Sequence, residues 1–181
     1  MSTRSEIRDG TDPDELKRNF GIVYTCDMGW VDIGHAGPGA AERLWALIRN
    51  EIGDISPDGQ WFRVPFEECM GRKKFGVWYA WACEGDEFGV RYGLSNAQKE
   101  SVALAIFLRI SRNFEAMQGT WPQSMIPTSA ASSFSAEDLI SDLMGFYSVV
   151  RPGPDYVQMA NPVSKADAEL VWDTLGPNRF L

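Results

Sequence analysis

Histidine is almost missing from this 181-residue sequence: His35 is the only one, among 25 acidic and 17 Lys or Arg side chains. A zinc centre of the ordinary kind, which takes two or three His or Cys ligands, has little to draw on. Cysteine is scarce too. Cys26, Cys69 and Cys83 cannot all pair; one bridge plus a free thiol is open to them, and three reduced thiols is the simpler reading. No basic cluster offsets the formal charge of −8, which argues against nucleic acid held through its phosphates. No apolar run approaches about 20 residues, so no segment reads as a transmembrane helix. The opening MSTRSEIRDGTDPDELKRNF lacks a hydrophobic signal-peptide core. If these residues are the whole product, it is expected to be made in the cytoplasm and to stay there, or to reach the periplasm by a route that needs no signal peptide.

The remaining composition is that of a globular domain rich in turns: 44% hydrophobic residues, with 17 Gly and 10 Pro. The expected organisation is a disordered stretch over 1–11 and one domain over 12–181. Seven Trp is a high count, and most of them belong in a core; a few could instead form a platform in a cleft.

The most informative stretch is GIVYTCDMGWVDIGHAG, residues 21–37, which holds Cys26, Asp27, Asp32 and His35. Ile22, Val23 and Tyr24 favour a strand, and Asp27-Met28-Gly29 reads as a turn. Trp30–Ile33 is a second extended run, so a hairpin is expected. From about Pro38 the period becomes helical, with Ala41, Leu44, Trp45, Ile48 and Ile52 on one face and Gly53 as the stop. His35 therefore lies on a loop feeding a helix N-terminus, where free N–H groups are expected to lower an imidazole pKa and keep the ring neutral. A neutral ring is the form that acts as a base or binds a metal. The plainer reading is that His35 and Asp32 only hold a loop, and that Cys26 is a small apolar residue at a strand end.

Further along, Trp61–Phe66 alternates like an edge strand and Glu67–Lys74 reads as a charged connection. Phe75–Cys83 reads as a central strand, and Gly85–Gly93 as a third hairpin arm. Ser95 caps a long helix over about 96–118, whose second strip places Glu115 in line with Leu104 and Leu108. A carboxylate on an apolar strip suits acid–base work; pairing with Arg112 is the structural alternative. Residues 119–133 form a Pro- and Ser-rich loop, long enough to be a lid. A helix over Leu139 to about Val149 follows, with Ser135 as N-cap and Asp138 completing a capping box, which leaves Glu137 without a structural role. Ser164 caps a last helix, Lys165–Leu175. The fold class expected is α+β: a small antiparallel sheet packed against the long central helix, with additional helices.

GIVYTCDMGWVDIGHA resembles the first signature of a bacterial family catalogued as domain of unknown function 4056, many of whose members are putative lipoproteins; Tyr24, Thr25, Cys26, Gly29, Asp32 and His35 fit it. FSAEDLIS is similar to the second, through Phe134, Ser135, Glu137, Asp138, Leu139 and Ser141, with Gly145 at the matching place. Between them that family tends to carry a His-Glu pair on a helix; this chain keeps Glu115 but has Phe114 at the histidine position. The resemblance implies that His35, Glu115 and Glu137 converge, together with Asp32, Cys26 and Asp138, in a bacterial-envelope setting.

Three functions follow as expectations. The first is a hydrolase of an envelope polymer, peptidoglycan foremost, using His35, Glu115 and Glu137 on a glycosidic bond, or a His- or metal-activated water on an amide. Such an enzyme could be an exported antibacterial effector, partnered by a delivery or immunity protein. The second is a non-catalytic binding or adaptor module, which Phe114 favours. The third is a Cys26–His35 thiol hydrolase. No cofactor is expected; a divalent metal such as zinc would have to use one His with carboxylates and Cys26.

Overall fold

The computed structural model describes residues 2–18, 20–74, 77–118 and 136–176, without the side chains of 70–81, 118, 136 and 137. The expected lid, 119–133, and the cap Ser135 lie outside the described residues. The class is α+β, as expected: two two-stranded antiparallel sheets and, among the described residues, six helices. Contacts group the chain into two compact units, Met1–Gly39 with Trp121–Leu181, and Ala40–Thr120.

The first unit is built on the hairpin of β1 (Ile22–Thr25) and β2 (Gly29–Asp32), with Val23 opposite Val31 and Tyr24 opposite Trp30. Gly29 sits at φ 74°, as the tight turn requires. Side chains alternate across a sheet, and here both faces are buried, which is why the strands read as unbroken apolar runs. Ile22, Tyr24 and Trp30 pack on one side with Ile7 and Ala168, and with Trp172 at their margin. Val23, Val31 and Ile33 pack on the other with Met144 and Ala160. The helices supplying these partners are α4 (Ala136–Val150), α5 (Tyr156–Met159, capped by Asp155) and α6 (Lys165–Leu175, capped by Ser164). A short α1 (Pro13–Leu16) is capped by Asp12.

The N-terminal stretch differs from expectation. Instead of being disordered, Arg4–Glu6 forms a 3-10 turn, Ile7 is fully buried, and the Arg8 N–H donates to the Ile22 carbonyl at 2.8 Å. Ile7 bridges to Ile22 beside β1, Arg4 pairs with Asp173, and the Gly10 N–H donates to the Val163 carbonyl; the polar residues around Ile7 concealed this.

The second unit contains α2 (Gly39–Arg49), β3 (Trp61–Lys74), β4 (Val77–Arg91) and α3 (Asn96–Gln118). Phe62, Val64 and Phe66 are buried while Trp61, Arg63 and Pro65 are exposed, so one face of the ribbon meets α3, with Phe66 6.2 Å from Phe107 between ring centres. Three expectations fail here. Glu67–Lys74 is not a connection but the continuation of β3, the segment of β4 from Val77 is not central because the sheet has two strands, and 85–91 is the same β4 rather than a third arm. A two-stranded ribbon tolerates polar residues along its length, so hydrophobic pattern could not set its limits. The helix α2 also ends at Arg49, short of Gly53, and Ile52 is exposed. Cys69 and Cys83 stand opposite each other in the register and form a disulfide, leaving Cys26 free. That replaces the three-thiol reading; only strand pairing reveals it, since the spacing of 14 residues carries no signal.

In the first unit α4 lies against β2 and the loop after it. A Cβ at Gly145 would come within 2.8 Å of the His35 carbonyl oxygen and closer still to that of Gly37. Gly145→Ala is therefore expected to lower stability by about 1–3 kcal/mol, read as a reduced urea midpoint with an unchanged m-value. An unchanged midpoint would show that the contact is not tight.

Candidate functional site

His35 lies on the loop between β2 and α2, and its placement is local chemistry first. The Asp32 Oδ1 accepts the N–H of Gly34 at 2.7 Å and, more weakly, that of His35 at 3.4 Å. The Ala36 N–H donates to the Asp32 carbonyl at 3.0 Å. An Asp at the end of a strand thus turns the chain back on itself, as short polar side chains do. The Asp32 N–H, in turn, donates to the buried Ser141 Oγ on α4 at 2.8 Å.

Asp138, Ser141 and Gly145 fall three and then four residues apart on α4, and so share one face. Asp138 Oδ1 is 3.5 Å from His35 Nδ1; the imidazole is 45% exposed and the carboxylate 9%. Among the described residues the other ring nitrogen, Nε2, makes no hydrogen bond. One nitrogen thus faces an almost buried anion, on a ring that is half in water.

The electrostatics reverse the expected sign. The His35 pKa is pushed up to about 9, first by hydrogen bonding to Asp138 and then by the charges of Asp32, Asp142 and Asp138, with burial pulling the other way. At 3.5 Å the Asp138 contact is at the long end of hydrogen bonding, so the surrounding negative charge matters to the result. A helix N-terminus cannot compete with three carboxylates; the expectation of a neutral ring at pH 7 is corrected to an imidazolium.

Asp32, His35 and Asp138 each offer a ligand atom, all within 4.8 Å of one another, and Glu67, Cys69 and Cys83 form a second such group. The disulfide occupies both sulfurs of the second. No family model, no curated protein and no solved structure matches the chain.

The other residues singled out in the sequence fall as follows. Cys26 is exposed at the hairpin turn, its N–H donating to the Asn161 carbonyl at 3.0 Å, and it makes no hydrogen bond to His35. A thiol–imidazole couple is thus not formed. Glu115 is buried on α3 in the second unit. Glu137 lies in the first turn of α4, with its side chain outside the described residues. Asp138, which capping arithmetic had assigned to the helix end, is the carboxylate that meets the imidazole. Ser141 and Asp142 were missed as neighbours; the helical spacing from Asp138 was the available signal.

An imidazole whose pKa is higher folded than unfolded stabilises the protein below the unfolded pKa of about 6.5, and that contribution is lost as pH rises through about 9. The ring is half-exposed, so the effect should be on the order of 1 kcal/mol after screening. Wild type is expected to exceed His35→Gln by that margin at acid to neutral pH and to lose the margin above pH about 9, in urea melts across the range. A margin that is constant from pH about 6 to 10 would contradict the assigned ionisation.

Proposed function

We propose that this protein is a hydrolase of a bacterial cell-envelope polymer, with peptidoglycan as its substrate and His35 as its proton donor. The single observation that carries the reading is the half-exposed imidazole held by the nearly buried Asp138, with Nε2 making no hydrogen bond among the described residues. An imidazolium donates to a leaving oxygen or nitrogen as the scissile bond breaks, and a carboxylate of the cluster, Asp32 in this reading, takes the proton of the attacking water. Asp138 orients the ring and sustains its charge, the role a buried carboxylate plays toward a catalytic histidine. Glu115 and Glu137 are not needed for this step.

Two observations support the envelope setting. The Cys69–Cys83 disulfide suits an oxidising compartment, such as the periplasm or the exterior. The resemblance of the His35 and Asp138 segments to a family with lipoprotein members points the same way. An exported effector, with a delivery or immunity protein as partner, is the biological form this reading takes.

A second reading has its own support. Asp32, Ser141 and Gly145 all serve to fix the loop, so the cluster could be a pin within a binding module. The trio could also receive a divalent ion such as zinc, which would have to displace the imidazole proton.

Purified sacculi separate these readings. Wild type is expected to release soluble fragments at neutral pH, with the rate falling as pH passes about 9; His35→Ala should be slower by roughly 10²–10⁴-fold. Sacculus binding without release by either protein would favour the binding module, and activity lost to a chelator and restored by zinc would favour the metal site. Equal release by wild type and His35→Ala would remove His35 from the chemistry.

A further inference from the structure

The β3–β4 ribbon carries the second cluster of ligand-type side chains: Glu67, Cys69 and Cys83 each bring a ligand atom within 4.8 Å of the other two. Strand register explains the meeting. Cys69 stands opposite Cys83, and Glu67, two residues away on β3, projects from the same face of the ribbon. The register partner of Glu67 is Gly85, where a Cβ would lie 2.6 Å from the Glu67 Cβ. The missing side chain at Gly85 thus makes room for Glu67 beside the sulfurs. The neighbouring acids turn to the other face, Glu68 toward Ser111 at 2.9 Å and Glu84 toward Asn113 at 3.4 Å on α3. Glu87 shares the cysteine face but is held by Arg63 at 2.7 Å. Among the described residues, Glu67 is therefore the carboxylate available to the two sulfurs.

The sulfurs are bonded to each other, but strand pairing is what brings them together. Their Cα atoms are 4.0 Å apart in a ladder that runs unbroken from the Trp61–Arg91 pair to the Cys69–Cys83 pair. Phe62, Val64 and Phe66 anchor that ladder in the core. Opening the disulfide leaves two thiols face to face, and Cys83 is exposed to a reductant. Two thiolates and a carboxylate are a donor set that suits zinc. Tetrahedral zinc, with Zn–S bonds of about 2.3 Å, holds two sulfurs about 3.8 Å apart. Rotation about the Cα–Cβ bonds provides that separation without moving the strands. Glu67 and Cys83 also line a cleft of about 430 Å³, which gives water access to the fourth position.

We propose that the reduced ribbon binds Zn²⁺ through Cys69, Cys83 and Glu67, and that forming the disulfide ejects the ion. A dithiol reductant passes two electrons and two protons to the sulfurs and closes its own disulfide. Zn²⁺ then displaces the two thiol protons as it binds. A disulfide oxidant takes the two electrons back, the Cys69–Cys83 bond re-forms, and the ion leaves. The pair is thus a bridge in oxidising surroundings and a metal site in reducing ones. The site lies wholly within Ala40–Thr120 and does not depend on His35.

Titration with Co²⁺ of the full chain, reduced with dithiothreitol and then freed of it without oxygen, tests this. Cys26→Ser serves as the parent, so that every thiolate signal belongs to the pair. The reduced chain is expected to give a saturable thiolate-to-cobalt charge-transfer band that equimolar Zn²⁺ removes. The oxidised chain, which keeps Asp32, His35 and Asp138, should give no such band. Glu67→Gln should weaken binding by at least the loss typical of an outer-shell partner, roughly 10–100-fold. Amide NMR spectra should show β3 and β4 retained after reduction. Absence of the band, equal binding by Glu67→Gln, or loss of the ribbon on reduction would each overturn the proposal.

Discussion

One face of a helix holds the candidate site together. Along α4, Asp138 meets the imidazole, Ser141 accepts the N–H that ends β2, and Gly145 lets the backbone carbonyls of His35 and Gly37 come close. Met144, beside them, sits in the core with Val23, Val31 and Ile33. Hydrophobic packing therefore fixes the distance between helix and hairpin, and the polar groups use that distance. A shift of the helix would move all three contacts together.

The electrostatic state of His35 follows from that docking. Carboxylates on two elements, Asp32 at the strand end and Asp138 and Asp142 on α4, surround one ring, and together they outweigh the cost of its partial burial. The result is a cation in a chain whose formal charge is −8. A group of that kind donates a proton or a charged hydrogen bond at neutral pH; it does not accept a proton there. This is why the proposal gives His35 the proton-donor role and not the base role that a neutral ring would suggest.

Much of the frame was legible in the sequence. The 21–33 hairpin, the turn at Gly29, the helix over 96–118 and the capped helix Lys165–Leu175 all rest on local pattern, and local pattern located them. Asp32 and His35 were legible because both belong to one loop. Local pattern assigned Asp138 to capping, and only the family resemblance set it with His35, because its partner lies more than a hundred residues away and packing alone joins them. The long β3–β4 ribbon was cut into pieces because Glu67–Lys74 carries polar residues that a two-stranded sheet need not bury. The disulfide depended on that same register and was hidden with it, and the order of the first residues depended on long-range partners, Ile22 for Ile7 and Asp173 for Arg4.

Because His35 is the sole histidine, its ring signals can be followed through a pH titration by NMR without assignment. The account predicts a midpoint near about 9, falling toward the ordinary value of about 6.5 when Asp138 is changed to Asn. A wild-type midpoint at about 6.5, unmoved by Asp138→Asn, would contradict the claim that the helix holds this ring as a cation.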